Sequence, residues 1–396
     1  MNVPDMQPAL RRAIAELESS KIVELWELGF GRDDLIGLWV GEGDLATPGF
    51  ICQAAAVALG DGHTFYTHKR GLPELRQAIV DYQTGLYRRP PVELERVSVT
   101  QSGMNGIMIA MQMLVDAGDN VACVSPVWPN VYGAIRIMDA EVRHLILDSG
   151  PDGGFSLDLE RLFAAVDRRT RAVFIASPGN PTGWAMPAEQ QRAVLDFCRA
   201  RGIWIVADEV YARFVYDRPV EDRPAAPSFL EIIEPEDRVL VVNSFSKAWA
   251  MTGWRLGWVT HPGTMAAVFD KVIEYNTSGA QAFLQYGALA ALRDGEAFVR
   301  TMVSRCRRGR DVVARALKQM PRVRLAEPEA GFYAFFAVDG MTDSLATAKE
   351  LLHATGVGLA PGVAFGPGGE GHLRLCFASA TGRLEEAMAR LRPLLS

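Results

Sequence analysis

The sequence has few cysteines, no long apolar run and no excess of basic residues. Its five cysteines are odd in number and lie far apart, which argues against a disulfide framework and against a metal site. No stretch approaches the about 20 apolar residues of a membrane span, and the N-terminal residues are amphipathic and charged, unlike a signal segment. The net charge of −6 gives no general attraction to nucleic acid or acidic membranes. We therefore expect a cytoplasmic protein that binds neither nucleic acid nor membrane.

The length and composition favour a globular protein of two domains. A hydrophobic content of 49% with 22% charged residues is typical of a globular chain, and 396 residues exceed one ordinary core. Predicted strands alternate with predicted helices at 96–100, 103–117, 120–125, 130–138, 141–147, 171–176, 188–201, 203–207 and 239–243. Strands separated by helices of this length form a mainly parallel sheet that is covered on both faces.

Turn residues mark the helices that precede this region. Thr47 and Pro48 predict a helix start, with Thr47 as the cap and Pro48 as the first helical residue, and Gly60 or Gly62 predicts its end. Pro73 predicts the start of a second helix in the same way.

The C-terminal part of the chain predicts a smaller unit of mixed structure. After a long helical pattern, short predicted strands lie at 322–325, 333–336, 356–359 and 372–376. We expect an α/β protein with a three-layer large domain over 46–285. A smaller α+β domain would be formed by 1–45 together with 286–396.

The most informative residue is Lys247, which follows a predicted buried strand and lies near Ser244, Ser246 and Arg255. A lysine amine removed from water has a lowered pKa and becomes a nucleophile toward carbonyls, the usual route to a Schiff base. Hydroxyl donors and a forked cation are what a phosphate group needs. The segment indicates a phosphate-bearing aldehyde cofactor, pyridoxal 5′-phosphate (PLP). For this segment alone, a surface lysine with Arg255 in an ion pair is an equally good interpretation.

Three more loops follow predicted strands, at the edge of the sheet where ligands of open α/β folds bind. Ser102 and Gly103 open a helix whose free N–H groups suit a phosphate, although such pairs cap many helices. Trp128, in a proline-bounded loop, could stack on a flat ring or simply close the edge of a core. Asn180 lies in a stiff turn and could donate to a phenolate oxygen, although turns need such residues anyway.

Asp208 comes directly after the predicted strand at 203–207. A carboxylate there is partly buried and needs a positive partner. The protonated nitrogen of a pyridine ring would be one, and keeping it charged makes the ring an electron sink. Tyr211 could share the phenolate oxygen with Asn180. A salt bridge or a helix cap is the alternative interpretation of Asp208.

The order of these features resembles that of the PLP-dependent aminotransferases of class I/II, which have fold type I of the aspartate aminotransferase superfamily. The resemblance covers nearly the whole chain, and the lysine segment is its most specific element. Gly43 departs from the family pattern, because proline is common there. The matching segments are Gly41-Glu-Gly-Asp-Leu-Ala-Thr-Pro48, Tyr66 with Gly71-Leu-Pro-Glu-Leu-Arg76, Ser177-Pro-Gly-Asn-Pro-Thr-Gly183, Ser244–Lys247 with Gly253-Trp-Arg-Leu-Gly257, and Pro361-Gly362 with Phe365-Gly366 and Leu373-Arg374-Leu375.

The resemblance implies a role for each residue of a cofactor site. Lys247 would bond to the cofactor aldehyde and move the substrate proton, Asp208 would pair with the pyridinium nitrogen, and Trp128 would stack on the ring. Asn180 and Tyr211 would contact the phenolic oxygen. The phosphate would be held by Ser102, Gly103, Met104, Ser244, Ser246 and Arg255.

The resemblance also implies a substrate site and a partner subunit. Arg374 would hold the substrate α-carboxylate in a bidentate pair, with Gly41 leaving room beside it. Tyr66 would reach the phosphate of the neighbouring subunit, so the protein would be a homodimer. A polar loop is the better interpretation of the residues that flank Tyr66, which are His63, His68, Lys69 and Arg70.

The expected function is ping-pong transamination between an L-amino acid and a 2-oxo acid. A PLP-dependent carbon–sulfur β-lyase on the same fold is the alternative, because one fold supports several PLP reactions. A regulator that uses the fold as a sensor is disfavoured, because the roughly forty residues before Gly41 are too few for its DNA-binding domain.

The substrate is left open by the sequence. Some relatives that prefer dicarboxylates have a basic residue where Met104 stands, which disfavours a dedicated aspartate enzyme. Met104 could line an apolar pocket, although it could equally be ordinary core. The same two interpretations apply to Trp39, Phe332 and Tyr333.

Overall fold

The computed structural model describes residues 10–217, 219, 222 and 224–396. The helices are α1 Arg12–Ala15, α2 Lys21–Leu28, α3 Gly49–Gly60, α4 Pro73–Tyr87, α5 Gly103–Leu114, α6 Asn130–Ile137, α7 Leu159–Ala165, α8 Ala188–Arg201, α9 Ala266–Asn276, α10 Ala282–Asp294, α11 Glu296–Leu317, α12 Ser344–Thr355 and α13 Thr381–Leu395. The strands are β1 Ile36–Gly37, β2 Val97–Thr100, β3 Asn120–Ser125, β4 Glu141–Ile146, β5 Asp148–Ser149, β6 Phe155–Ser156, β7 Thr170–Ala176, β8 Trp204–Asp208, β9 Val239–Ser244, β10 Gly257–Thr260, β11 Val323–Arg324, β12 Tyr333–Val338, β13 Val357–Gly358, β14 Ala360–Pro361 and β15 His372–Cys376.

A seven-stranded sheet in the order β2-β10-β9-β8-β7-β3-β4 forms the centre of the molecule. Strands β9, β8, β7, β3 and β4 are parallel to one another, and β10 is antiparallel to both of its neighbours. The mainly parallel sheet predicted from the sequence is therefore confirmed. Strand β10 was missed in the sequence analysis, because a run of four residues that starts with glycine is too short to show a strand periodicity.

Helices cover both faces of this sheet, because successive strand residues point to opposite sides. Along β3, Val121 and Cys123 are buried in a core with residues of α5, α6 and α9. Ala122 and Val124 are buried in a second core with residues of α7 and α8. The three layers predicted from the sequence are confirmed.

A second, four-stranded antiparallel sheet has the order β11-β12-β15-β14. In it, Phe335 of β12 lies opposite Arg374 of β15. The N-terminal part of the chain reaches the same region, because β1 pairs in parallel with β13. Arg374 therefore comes from a different sheet than Asp208 and Ser244, which are the last residues of β8 and β9.

The predicted start of α3 is wrong by one residue. The helix begins at Gly49, and Pro48 precedes it instead of being its first residue. Thr47 does not cap the helix, since its hydroxyl donates to the backbone carbonyl of Ala250 at 2.6 Å and its oxygen accepts the indole N–H of Trp254 at 3.0 Å. Helix α4 begins at its proline, as predicted.

The described residues include no helix long and apolar enough to cross a membrane. Among the same residues, no group of three or more His, Cys, Asp and Glu side chains is placed to hold a metal ion. The five cysteines are free, and four of them are buried, with Cys52 exposed.

Candidate active site

A cavity of about 400 Å³ lies at the carboxyl ends of the parallel strands. Its lining includes Ala176, Asp208 and Ser244, the last residues of β7, β8 and β9. All residues predicted for the site line this cavity, except for Ser102, which lies directly before α5, and Tyr66, which is 92% exposed. The sheet thus gathers side chains that lie far apart in the sequence.

A larger cleft of about 710 Å³ lies elsewhere and holds none of the predicted site residues. It is at the opposite edge of the sheet, where Thr170 and Trp204 begin β7 and β8. Its charged side chains include Arg171, which is exposed and paired with Asp119 at 2.8 Å. Paired, exposed charges make this cleft an ordinary surface feature, so the smaller cavity is the candidate site.

Lys247 reaches into the cavity from the turn after β9. Its amine donates to the backbone carbonyl of Gly41 at 2.6 Å, and it lies 5.6 Å from the centre of the Tyr211 ring. Burial lowers the pKa of Lys247 to about 8, because the charged form is poorly solvated there. A substantial fraction of this amine is neutral near physiological pH, as a nucleophile or general base requires.

Asp208 presents a buried carboxylate to the same cavity. It accepts a hydrogen bond from the backbone N–H of Val210 at 3.3 Å, and no cationic side chain in the described part of the chain forms an ion pair with it. Burial raises the pKa of Asp208 to about 6, against the weaker opposing effects of this N–H and of Lys247. A cationic ring nitrogen would be a suitable partner for this carboxylate.

The start of α5 and the turn after β9 form an anion cradle. Ser102 has a φ of 105° and accepts the N–H of Asn105 at 3.1 Å, so its hydroxyl caps the helix. The first N–H groups of the helix have no carbonyl partner within it and carry the positive end of its dipole. Nearby, the Ser244 hydroxyl donates to that of Ser246 at 2.9 Å, and Arg255 lines the same cavity.

Gly257 is part of this cradle and was not singled out from the sequence. A Cβ there would lie 2.6 Å from the Asn243 carbonyl oxygen and 2.7 Å from the Gly103 nitrogen. A side chain would therefore push β10 away from the start of α5. The signal that could have revealed this role is the position of Gly257, only two residues after the proposed phosphate ligand Arg255.

Arg374 is buried and joins both sheets at the cavity. Its guanidinium donates to the Asn180 side-chain oxygen at 2.8 Å and to the Trp39 carbonyl, while its Nε has no partner among the described residues. Because Asn180 uses its oxygen here, its amide N–H groups stay available for a phenolic oxygen. A buried arginine with an unused donor is suited to a carboxylate.

Tyr211 and Tyr333 are joined by a hydrogen bond of 2.6 Å between their hydroxyl oxygens. Burial raises the pKa of both phenols, so both stay protonated. The guanidinium of Arg374 lies 4.5 Å from the centre of the Tyr333 ring. Tyr333 is thus a polar member of the site, although the sequence indicated only an apolar or core role.

Two other residues considered as pocket residues have different surroundings. Trp39 lines the cavity and its ring is buried, packed where a Cβ on Gly29 or Gly358 would overlap it, and its carbonyl accepts a hydrogen bond from Arg374. Phe332 does not line the cavity and packs edge-on against Tyr211, with ring centres 5.1 Å apart. Met104 does line it.

Comparison with known proteins decides the family of the chain. The model of the family "Aminotransferase class I and II" matches residues 33–391. The chain belongs to this family. It is 34% identical over 382 residues to "Aspartate aminotransferase" of Pyrococcus horikoshii, covering 96% of this chain and 95% of that protein. It is also 34% identical to "Valine--pyruvate aminotransferase" of Mycobacterium tuberculosis, covering 93% of this chain and 94% of that protein.

Solved structures of this aminotransferase family have the same fold. The aspartate aminotransferase of Thermotoga maritima superposes with a TM-score of 0.89 at 32% identity, covering 98% of this chain and 100% of the other. The chain is thus a PLP-dependent aminotransferase of fold type I, which moves an amino group between an amino acid and a 2-oxo acid. No finding supports the carbon–sulfur lyase that the sequence left open.

The residues of the cavity fit the cofactor of this aminotransferase family. A phosphate matches the N–H groups at the start of α5, and a pyridinium nitrogen matches the unpaired carboxylate of Asp208. An aldehyde matches the amine of Lys247. Tyr66 is outside this set, on the surface with Phe65, which is 83% exposed.

Proposed function

We propose that this aminotransferase binds PLP in the cavity with Lys247 as the residue that bonds to it. The observation that supports this most strongly is that the Lys247 amine, the Asp208 carboxylate and the Arg374 guanidinium line one cavity. When bound, PLP supplies an electron sink for the charge that develops at the substrate α-carbon. Asp208 keeps a negative charge beside the ring nitrogen. Asn180 and Tyr211 would hold the phenolic oxygen, and Trp128, which lines the same cavity, would contact the ring.

The phosphate group is held by hydroxyl groups, backbone N–H groups and one guanidinium. Ser244 and Ser246 are buried and already close to each other, so their hydroxyls are positioned before the cofactor arrives. Arg255 adds the compensating charge. The remaining donors are the Ser102 hydroxyl and the backbone N–H groups of Gly103 and Met104.

Lys247 is the general base of the proposed reaction. Its lowered pKa of about 8 leaves part of the amine neutral, so that it can take the proton from the substrate α-carbon. The same amine, once protonated, can return a proton to the cofactor side. The Gly41 carbonyl accepts a hydrogen bond from this amine at 2.6 Å and so holds it in the cavity.

Arg374 binds the α-carboxylate common to the amino acid and the 2-oxo acid. Its contacts with Asn180 and the Trp39 carbonyl fix the guanidinium plane before substrate arrives, which reduces the ordering cost of binding. Gly41 would leave room for the substrate at this site, and its missing side chain also makes space for Tyr333, since a Cβ there would lie 2.1 Å from the Tyr333 hydroxyl oxygen.

We also propose that the protein is a homodimer in which Tyr66 contacts the phosphate in the partner's cavity. The support is the exposure of Tyr66 and Phe65, because large exposed aromatic residues at one place favour a protein interface. Free thiols favour a reducing compartment, so we propose a cytoplasmic protein. A role in amino acid biosynthesis is proposed from the transamination reaction alone.

We keep the proposed domain limits, 46–285 for the large domain and 1–45 with 286–396 for the small one. The seven-stranded sheet falls inside the first range, and the four-stranded sheet falls inside the second. The pairing of β1 with β13 supports assigning the N-terminal part to the small domain.

The test of the proposed function is transamination by the purified protein loaded with PLP. Lys247→Ala should abolish amino transfer and the visible absorption band of the bound cofactor. Lys271→Ala, which changes an exposed lysine on α9, should alter neither. Transamination by Lys247→Ala at the wild-type rate, or a normal cofactor band in that variant, would show that the proposed role of Lys247 is wrong.

A further inference from the structure

The rim of the active-site cavity is apolar on the side formed by α2. Ile22, Val23 and Trp26 of this helix line the cavity together with Val40. The last three are unusually exposed for their type, at 46%, 44% and 39%. Exposed apolar side chains around the mouth of a cavity favour a ligand that covers them.

The Trp26 ring has an aromatic contact just beyond the C-terminal end of α2. It packs edge-on against Phe30, with ring centres 4.4 Å apart. Helix α2 is capped by Ser20, whose hydroxyl accepts the N–H of Val23 at 3.4 Å. The apolar rim is therefore built on a regular helix, which positions it better than a loop would.

The cationic side chains that line the cavity are Lys247, Arg255 and Arg374. In the proposed function all three are already engaged, in cofactor bonding, phosphate binding and α-carboxylate binding respectively. No further lysine or arginine in the described part of the chain lines this cavity. A second substrate carboxylate would thus be desolvated without a partner, which is costly.

The carboxylate of Glu42, two residues after Val40 of the rim, has the wrong sign for binding a dicarboxylate. Glu42 lines the cavity, is exposed, and accepts a hydrogen bond from the hydroxyl of Thr252 at 3.0 Å. A negative side chain at the mouth repels a second carboxylate. Its hydrogen bond and its contact with water make it a weak anchor for a cationic substrate.

A partner subunit that brought Tyr66 to the cavity would not bring a free cation from the residues next to it. Lys69 forms an ion pair with Glu274. Arg70 is buried and paired with Asp270 at 3.1 Å and with Glu95 at 2.5 Å. Both cations are committed within their own chain.

We propose that the preferred amino acids are those with uncharged, apolar side chains larger than that of alanine, seated against Trp26, Val23 and Val40. This inference rests on the proposed function, because it takes the α-carboxylate to be held by Arg374. Helix α2 then acts as the specificity element, and Trp26 offers the largest apolar surface in it.

The first test is a single-turnover reaction of the PLP-loaded enzyme with separate amino acids, followed by loss of the visible cofactor band. Leucine, methionine and phenylalanine should react with second-order rate constants at least about tenfold above those of aspartate, glutamate and arginine. Faster reaction with aspartate, glutamate or arginine would overturn the proposed substrate class alone. Absence of reaction with every amino acid would instead overturn the proposed function.

A binding measurement gives a readout that does not depend on turnover. Carboxylates without an amino group, 4-methylpentanoate and succinate, are titrated into the PLP-loaded enzyme while tryptophan fluorescence and the cofactor spectrum are recorded. We expect 4-methylpentanoate to bind at least about tenfold more tightly than succinate. Tighter binding of succinate would contradict the proposal.

Paired variants on α2 test the specificity element itself. Trp26→Ala should lower the leucine-to-alanine ratio of second-order rate constants by about tenfold or more. Leu28→Ala, on the same helix and 42% exposed but outside the cavity lining, should leave that ratio unchanged. Equal ratios in both variants and the wild type, with the cofactor band intact, would show that α2 does not select the substrate.

Discussion

Residues of this site draw their chemistry from burial more than from direct ion pairs. Desolvation is the largest cause of the pKa shifts of Lys247 and Asp208, downward for the amine and upward for the carboxyl. Arg374 is buried as well, but hydrogen bonds hold it in place. Each of the three groups can therefore still bind a ligand group that brings the complementary charge.

The lowered pKa of Lys247 predicts how cofactor loading depends on pH. The neutral amine bonds to an aldehyde, and its fraction rises as pH increases through a pKa of about 8. The rate at which the visible band forms after adding PLP to the cofactor-free protein should thus rise toward pH 8 and level off above it. Stopped-flow absorbance over pH 6–11 (roughly the range that separates a shifted from an ordinary lysine) measures this.

The control for this profile is Lys271→Ala, an exposed lysine on α9 whose removal should leave the curve unchanged. A rate that keeps rising to about pH 10.5, the ordinary lysine pKa, would mean that Lys247 is well solvated and that the burial argument is wrong.

Among the elements, β10 has a larger effect on the site than its length suggests. It is inserted antiparallel between β2 and β9, and this brings the turn with Arg255 beside the start of α5. Gly257, the first residue of β10, fits against Asn243 and Gly103 without a side chain. The phosphate cradle thus depends on close packing between three backbone segments.

Gly257→Ala should therefore weaken both the fold and cofactor binding. Its Cβ would lie 2.6 Å and 2.7 Å from backbone atoms, and such overpacking costs about 1–3 kcal/mol. We expect a lower midpoint in urea unfolding and a PLP dissociation constant raised about tenfold or more. Gly253→Ala is the matched control, because a Cβ there meets nothing within 4 Å. Equal behaviour of the two variants would disprove close packing at Gly257.

At the scale of the whole molecule, the proposed site needs two chains. Lys247 lines the cavity of its own chain, whereas Tyr66 is 92% exposed and outside it. Residues of the second sheet complete the same cavity through Arg374. The catalytic unit would then be a pair of chains, each contributing one side chain to the other's site.

Mixed dimers test this arrangement. A chain with Lys247→Ala and a chain with Tyr66→Phe, co-expressed and purified through two different tags, should form one site with both native residues. We expect such a heterodimer to bind PLP at that site with wild-type affinity and to have about half of the wild-type activity per dimer. The Tyr66→Phe homodimer should bind PLP more weakly.

The outcome that contradicts the arrangement is a mixed dimer no better than the Tyr66→Phe homodimer in affinity for PLP. Sedimentation at several protein concentrations provides the accompanying control, because a chain that stays monomeric cannot share residues between sites.

The sequence by itself determined the parallel sheet and suggested most residues of the proposed cofactor site. Strand and helix patterns depend on residues a few positions apart, so they are readable locally. The loops with Ser102, Asn180, Asp208 and Lys247 each follow a predicted strand. They can be expected to lie together, because such strands end at one edge of the sheet. The family resemblance then added the roles.

The tertiary structure alone decided the contacts between distant segments. Arg374 and Asn180 are separated by 194 positions, and Tyr211 and Tyr333 by 122, so no local pattern predicts their hydrogen bonds. Thr47 does not form its predicted cap, because its oxygen accepts the indole N–H of Trp254 and its hydroxyl donates to the Ala250 carbonyl, both in a distant segment. The apolar rim on α2 is likewise decided by contacts between segments that are distant in the sequence. Which face of a short helix meets the cavity depends on how the N-terminal part packs against the second sheet.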